Sequence, residues 1–119
     1  MNNMKVLQGI VETADSKRAH DIVVLDIEKL SLVGRYFVIM DAPSARQVKA
    51  IANDIIDKLD EENVEVLRVE GLNSGAWVLI DLGDIIVHIF KSEQRAFYNL
   101  EKLWSDAPNV DVTDWISED

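Results

Sequence analysis

Two apolar runs in close succession, Ala76-Trp-Val-Leu-Ile-Asp81 and Asp84-Ile-Ile-Val-His-Ile-Phe90, leave this chain few folds. Their β-branched and aromatic residues read as strands, and Leu82-Gly83 between them is a link of hairpin length. With that link as the loop, paired residue numbers sum to 165. Trp77 then stands opposite His88, Leu79 opposite Ile86 and Asp81 opposite Asp84. Side chains alternate between faces, so one face carries Ala76, Val78, Ile80, Ile85, Val87 and Ile89. The other carries Trp77, Leu79, Asp81, Asp84, Ile86, His88 and Phe90. The aliphatic face is core against helices. The second face has the mixed aromatic and polar composition of a binding patch, or it too lies under helices; the pattern leaves both open.

The rest of the chain supplies the cover. Residues 4–16 place Met4, Leu7, Val11 and Ala14 at helical spacing, with Ile10 beside them. Asp21-Ile-Val-Val-Leu-Asp26 is a short buried strand, residues 27–34 are a loop ending at Gly34, and Arg35-Tyr-Phe-Val-Ile-Met40 is a second strand. Ser44-Ala-Arg-Gln47 fits a capping box, and Val48, Ile51, Ala52, Ile55 and Leu59 follow as one helical stripe ending near Glu62-Asn63. Val64-Glu-Val-Leu-Arg-Val69 alternates as a strand, and Ser92 caps a last helix with Ala96, Phe97, Leu100, Leu103 and Trp104 on one face. The order α-β-β-α-β-β-β-α implies one α/β (α+β) domain with a mixed five-stranded sheet, spanning residues 1–107. Residues 108–119 are expected to be an acidic, mobile tail begun by Pro108, in which Trp115 is the group most able to dock back.

Charge narrows the partners. Twelve Lys and Arg stand against 22 Asp and Glu, a net charge of −10, and the last 14 residues hold five acids and no base. Even without them the balance is 12 against 17, so a phosphate backbone repels the domain and direct RNA contact should be minor. A basic protein is attracted instead, although net charge also serves solubility alone. With no cysteine, disulfides and thiolate metal sites are excluded. No signal peptide and no stretch of membrane-spanning length is expected, so the reading is a cytoplasmic protein with no membrane contact.

Catalytic constellations are not in evidence. His20, expected at the surface, and His88 lack ligand-spaced neighbours, and the five glycines form no phosphate-binding pattern. No cofactor and no metal site is expected. Two carboxylate pairs need weighing: Asp26 with Glu28, spaced to share a sheet face and hold Mg²⁺, and Asp81 with Asp84, whose like charges would oppose each other at the hairpin end. An acid pair at a strand end is also an ordinary solvated feature, and the second pair could receive a basic group from a partner.

At these strands the chain resembles the ribosomal silencing factor, or Iojap, family. The residues that carry the resemblance are Asp21-Ile-Val-Val-Leu-Asp26, Tyr36-Phe-Val-Ile39, Ser44-Ala-Arg-Gln-Val48 with Ile51-Ala52, and Glu70-Gly71. Trp77, Asp81-Leu-Gly-Asp84, Ile86-Val-His-Ile-Phe90, Arg95 and Tyr98-Asn-Leu-Glu-Lys-Leu-Trp104 complete the set. The resemblance runs in order from about residue 5 to 107. It implies a fold similar to nucleotidyltransferases without their catalytic acids. It also implies a protein that does no chemistry, binds the fourteenth protein of the large ribosomal subunit, and blocks subunit joining when nutrients are short. The turn Asp41-Ala-Pro-Ser44 departs from the Gly-containing turn usual in the family, which weakens any phosphate-cradling role. Carried over by position, the partner-binding residues are Trp77, Leu79, Asp81, Asp84, Ile86, His88, Phe90, Arg95 and Tyr98, with Leu100 and Trp104 in the core. Self-association into a homodimer stays open. The alternatives are an Mg²⁺-dependent nucleotidyltransferase-like enzyme and an antitoxin-like partner of another basic protein.

Overall fold

Helix α1 (Asn3–Ser16) begins where the Asn2 side chain accepts the Lys5 backbone N–H at 3.2 Å. It buries Leu7, Ile10, Val11 and Ala14, while Met4 is left 46% exposed. Helix α2 (Ala45–Glu61) begins at Ser44, whose hydroxyl oxygen accepts the Gln47 backbone N–H and donates to the Gln47 side chain. Its stripe of Val48, Ile51, Ala52, Ile55 and Leu59 is buried as expected. The computed structural model describes residues 2–32 and 34–117.

Both helices pack on one face of a mixed sheet built from β1 (His20–Asp26), β2 (Tyr36–Ala42), β3 (Arg68–Glu70), β4 (Trp77–Asp81) and β5 (Ile85–Lys91). The strand order is β1-β2-β5-β4-β3, with β2 and β5 parallel at the centre and every other pair antiparallel. Val24, Val38, Met40, Val78, Ile80, Ile85, Val87 and Ile89 form the main core beneath the helices. A smaller core on the opposite face contains Leu25, Ile27, Phe37, Ile39, Ile86, Phe90 and Ala107.

The hairpin register differs from the expected one by two residues. Trp77 pairs with Phe90, Leu79 with His88 and Asp81 with Ile86, and the Leu82 N–H donates to the Ile85 carbonyl at 2.9 Å. The turn is therefore Gly83-Asp84, with Gly83 at φ +93°, where type II′ hairpin turns favour glycine. Leu82, taken for a loop residue, is buried. A two-residue slip keeps every side chain on its face, so the division into an aliphatic and an aromatic face survives. Asp81 and Asp84 are not cross-strand partners.

Three more expectations are corrected. The strand expected over 64–69 pairs only at Arg68–Glu70, all exposed, a short edge of the kind that resists further pairing. The single last helix is broken: α3 (Ser92–Tyr98) and α4 (Leu100–Leu103) flank Asn99 at φ +47°, a left-handed conformation that asparagine tolerates. Ser92 does not cap it; its hydroxyl donates to Asp41 at 2.6 Å. The break turns Leu100 and Trp104 onto the second core and leaves Phe97 and Leu103 79% and 74% exposed.

Finally, the segment set apart as a mobile tail lies along the domain as far as it is described. The Asp26 N–H donates to the Pro108 carbonyl and the Val110 N–H to the Val24 carbonyl, both at 2.8 Å, around a Leu25–Asn109 bridge. A 3₁₀ turn (Thr113–Trp115) follows, and Val110, Val112, Trp115 and Ile116 pack against the main core. β1 is an outer strand whose free backbone groups need partners; this segment supplies them.

Candidate functional site

The second sheet face is covered unevenly. Over β1, β2 and β5 it lies beneath Leu100, Trp104 and Ala107, with Trp104 edge-on to Phe37 at 5.3 Å. Over β4 and β3 it is only half covered. There Trp77, Leu79 and Asp81 are half-buried, and their cross-strand neighbours Arg68 and Glu70 are exposed. Helix α3 borders this opening with Tyr98, 44% exposed, and Phe97. Trp77 lies 4.7 Å from Tyr98, and Phe97 meets Tyr98 edge-on at 5.1 Å. Trp77, Tyr98 and Phe97 thus form a continuous aromatic surface.

Beneath that surface the indole is supported from below. Phe90, 1% exposed, stacks on Trp77 at 4.9 Å. The Trp77 indole N–H donates to His88 Nδ1 at 3.1 Å, and Phe37 closes on His88 edge-on at 4.8 Å. Burial holds the His88 pKa down, to about 4, so the ring is neutral near pH 7. Gly71 (φ +81°) lies against the Trp77 carbonyl so closely that any β-carbon would collide with it, which fixes the chain entering β4.

A polar anchor holds α3 and α4 in place. Arg95, with its side chain 12% exposed, bonds Asp41 at 2.7 Å, Glu101 at 2.9 Å and the His20 carbonyl at 3.2 Å. Burial works against the guanidinium charge, and the hydrogen-bonded carboxylates of Glu101 and Asp41 outweigh it, so its pKa is raised. Asp41 is itself 6% exposed and also accepts the Ser92 hydroxyl. His20 is half-exposed, 3.7 Å from Asp41.

The nine residues expected at a partner surface therefore separate by depth. Trp77, Leu79, Asp81 and Tyr98 border the opening, and Asp84 is exposed on the hairpin turn. Ile86, His88 and Phe90 are buried beneath it, and Arg95 is engaged inside the domain. Sequence reasoning missed Phe97 and Leu103 as surface groups, because an unbroken last helix put them on one face with Leu100 and Trp104. It also missed Asp41, whose only signal was an acid at the end of a buried strand.

The carboxylate pairs do not converge. Asp26 accepts the Glu28 backbone N–H, and Glu28 pairs with Arg35 at 2.9 Å. Asp81 accepts the Gly83 N–H at 2.8 Å and faces Arg68 at 3.6 Å, while Asp84 accepts from Asn3. Among the described residues no three acids or histidines are grouped to hold a metal ion. Nor is any helix of those residues long and apolar enough to cross a membrane.

A family model described as "Ribosomal silencing factor during starvation" matches residues 1–119. The ribosomal silencing factor of Bacillus subtilis is 47% identical over 112 residues, which cover 94% of this chain and 95% of that protein. That of Halalkalibacterium halodurans is 44% identical over 117 residues, covering 98% of this chain and all of that one. A crystal structure of a Chromobacterium violaceum protein superposes with a TM-score of 0.85 at 35% identity, covering 88% of each chain.

Proposed function

Since the chain belongs to the ribosomal silencing factor family, we propose that it docks on the large ribosomal subunit through that subunit's fourteenth protein and so blocks small-subunit joining, lowering translation in starvation. The observation that carries this reading is the half-open face around Trp77, Leu79, Tyr98 and Phe97. Large aromatic side chains left partly exposed and backed by a rigid core are the usual anchors of a protein interface. They lie over stacked Phe90 and neutral His88, so little order remains to be gained on binding.

Charge supports the choice of partner. A net charge of −10 draws the domain to a basic ribosomal protein and away from exposed RNA, which limits direct RNA contact. Blocking then follows from bulk. A body of 34 × 33 × 31 Å seated on a joining face excludes another macromolecule from it without chemistry. The site of action is the cytoplasm, with the ribosome. The scattered carboxylates, each with its own local partner, give the nucleotidyltransferase-like alternative no support. The test is co-sedimentation with isolated large subunits, compared with small subunits. Binding to the large subunit alone, reduced by Trp77→Ala, supports the reading; equal binding to both or to neither refutes it.

A further inference from the structure

His88 raises a question that packing does not answer. It is 5% exposed, and its Nδ1 accepts the Trp77 indole N–H. Its Nε2 is buried with no hydrogen-bond partner among the described residues. With Nδ1 committed as acceptor, the neutral ring carries its proton on Nε2, leaving an unsatisfied donor in the interior. A phenylalanine between Phe37, Trp77 and Phe90 would fill the space without that cost. The imidazole is therefore accounted for by the one bond it makes.

That bond supplies what stacking cannot. Phe90 and Tyr98 lie 4.9 and 4.7 Å from the indole and hold its plane. The last torsion of an aromatic side chain is broadly two-fold. A half-turn about it keeps the plane of the indole while carrying its N–H to the opposite edge, so contacts to the ring face do not by themselves select between the two orientations. Only one of them puts the N–H on His88 Nδ1. We propose that His88 is a positioning residue, whose Nδ1 selects the one indole orientation that presents the correct edge of Trp77 to the partner protein. This rests on the docking reading above.

Two substitutions separate this role from packing. His88→Phe keeps ring volume and removes the acceptor; His88→Asn places an oxygen near the Nδ1 position and leaves a cavity. Stability and binding should therefore rank the variants in opposite orders. The Phe variant melts at or above the Asn variant but binds large subunits about tenfold more weakly than wild type, the effect of one lost buried hydrogen bond. The Asn variant binds within about threefold of wild type, a difference of roughly half that hydrogen bond's effect. Hydrogen exchange of the Trp77 indole N–H, read by NMR on the free protein, should be slow in wild type and His88→Asn and fast in His88→Phe. In a Trp77→Phe background, with no indole N–H, the two His88 variants should bind alike. Binding losses that follow the melting temperatures of the two variants, or that are equal in both, would overturn the proposal, as would unchanged indole exchange in His88→Phe. Failure of wild type to bind large subunits would overturn the docking reading instead.

Discussion

Replacing Arg95 by methionine should cost more stability than any surface ion pair could account for. Its partner Asp41 has a side chain only 8% exposed, and the two meet at 2.7 Å. Two such charges attract by about 4 kcal/mol at an effective dielectric near 20. Much of that repays their removal from water, so the pair itself is worth little net. Removing one member is different, because the buried Asp41 carboxylate would lose its main partner. Such losses run to roughly 3–5 kcal/mol. The Ser92 hydroxyl at 2.6 Å and the nearby His20 ring remain to Asp41, which argues for the low end, about 3 kcal/mol. For a domain of this size that is a fall in melting temperature on the order of 10–15 °C. Urea unfolding followed by circular dichroism measures it directly. Adding Asp41→Asn to the Arg95→Met chain removes the stranded carboxyl group and should recover roughly 1–2 kcal/mol. A single-variant loss under about 1 kcal/mol, or strict additivity in the double variant, would refute the view that Arg95 neutralises a buried acid.

Other perturbations test other parts of the structure. Trp77→Ala should weaken large-subunit binding by ~2 kcal/mol or more, about 30-fold, and also cost roughly 2 kcal/mol of stability, because the indole is half-buried on Phe90; parallel melts and sedimentation titrations separate the two. The His88 pKa falls from 6.5 to about 4 on folding, so the unfolded chain binds the proton more tightly. Its contribution is thus complete above about pH 6.5 and is lost as pH falls towards about 4, by roughly 3 kcal/mol in all. Denaturant midpoints should drop between pH 7 and pH 5, and His88→Phe should flatten that slope. Deleting residues 108–119 should destabilise the domain by roughly 3 kcal/mol, since it uncovers the outer edge of β1 and removes Val110, Val112, Trp115 and Ile116 from the core they pack against; an unchanged melting temperature would contradict that docking.

What was legible in the sequence was periodic. The helical stripes of residues 7–14 and 48–59, the alternation of the hairpin strands and the two opposed sheet faces all follow from side-chain spacing. Spacing also survives a register slip of two, which is why the wrong pairing of Trp77 with His88 still put both on the correct face. What stayed hidden depends on contacts between residues far apart in sequence. Asn99 tolerates the left-handed conformation that separates α3 from α4 but does not demand it, and Arg95 meets Asp41 and Glu101 together across that break. The docking of residues 108–117 was signalled only by four scattered apolar groups, which look like a solvated tail until the open edge of β1 is known. At the candidate site, composition marked the aromatic face but not depth. Trp77 and Phe90 share that face, yet α3 and α4 leave one reachable and bury the other.

On the proposed reading, this domain excludes the small subunit by seating its aromatic face on the joining face of the large one. Light scattering of purified subunits, mixed after the large subunit has been incubated with the protein, measures joining directly. Joining should fall as the protein approaches equimolarity with large subunits, and Trp77→Ala should shift this dependence about 30-fold to higher concentration. Undiminished joining on large subunits shown by sedimentation to be saturated with the protein would contradict that reading.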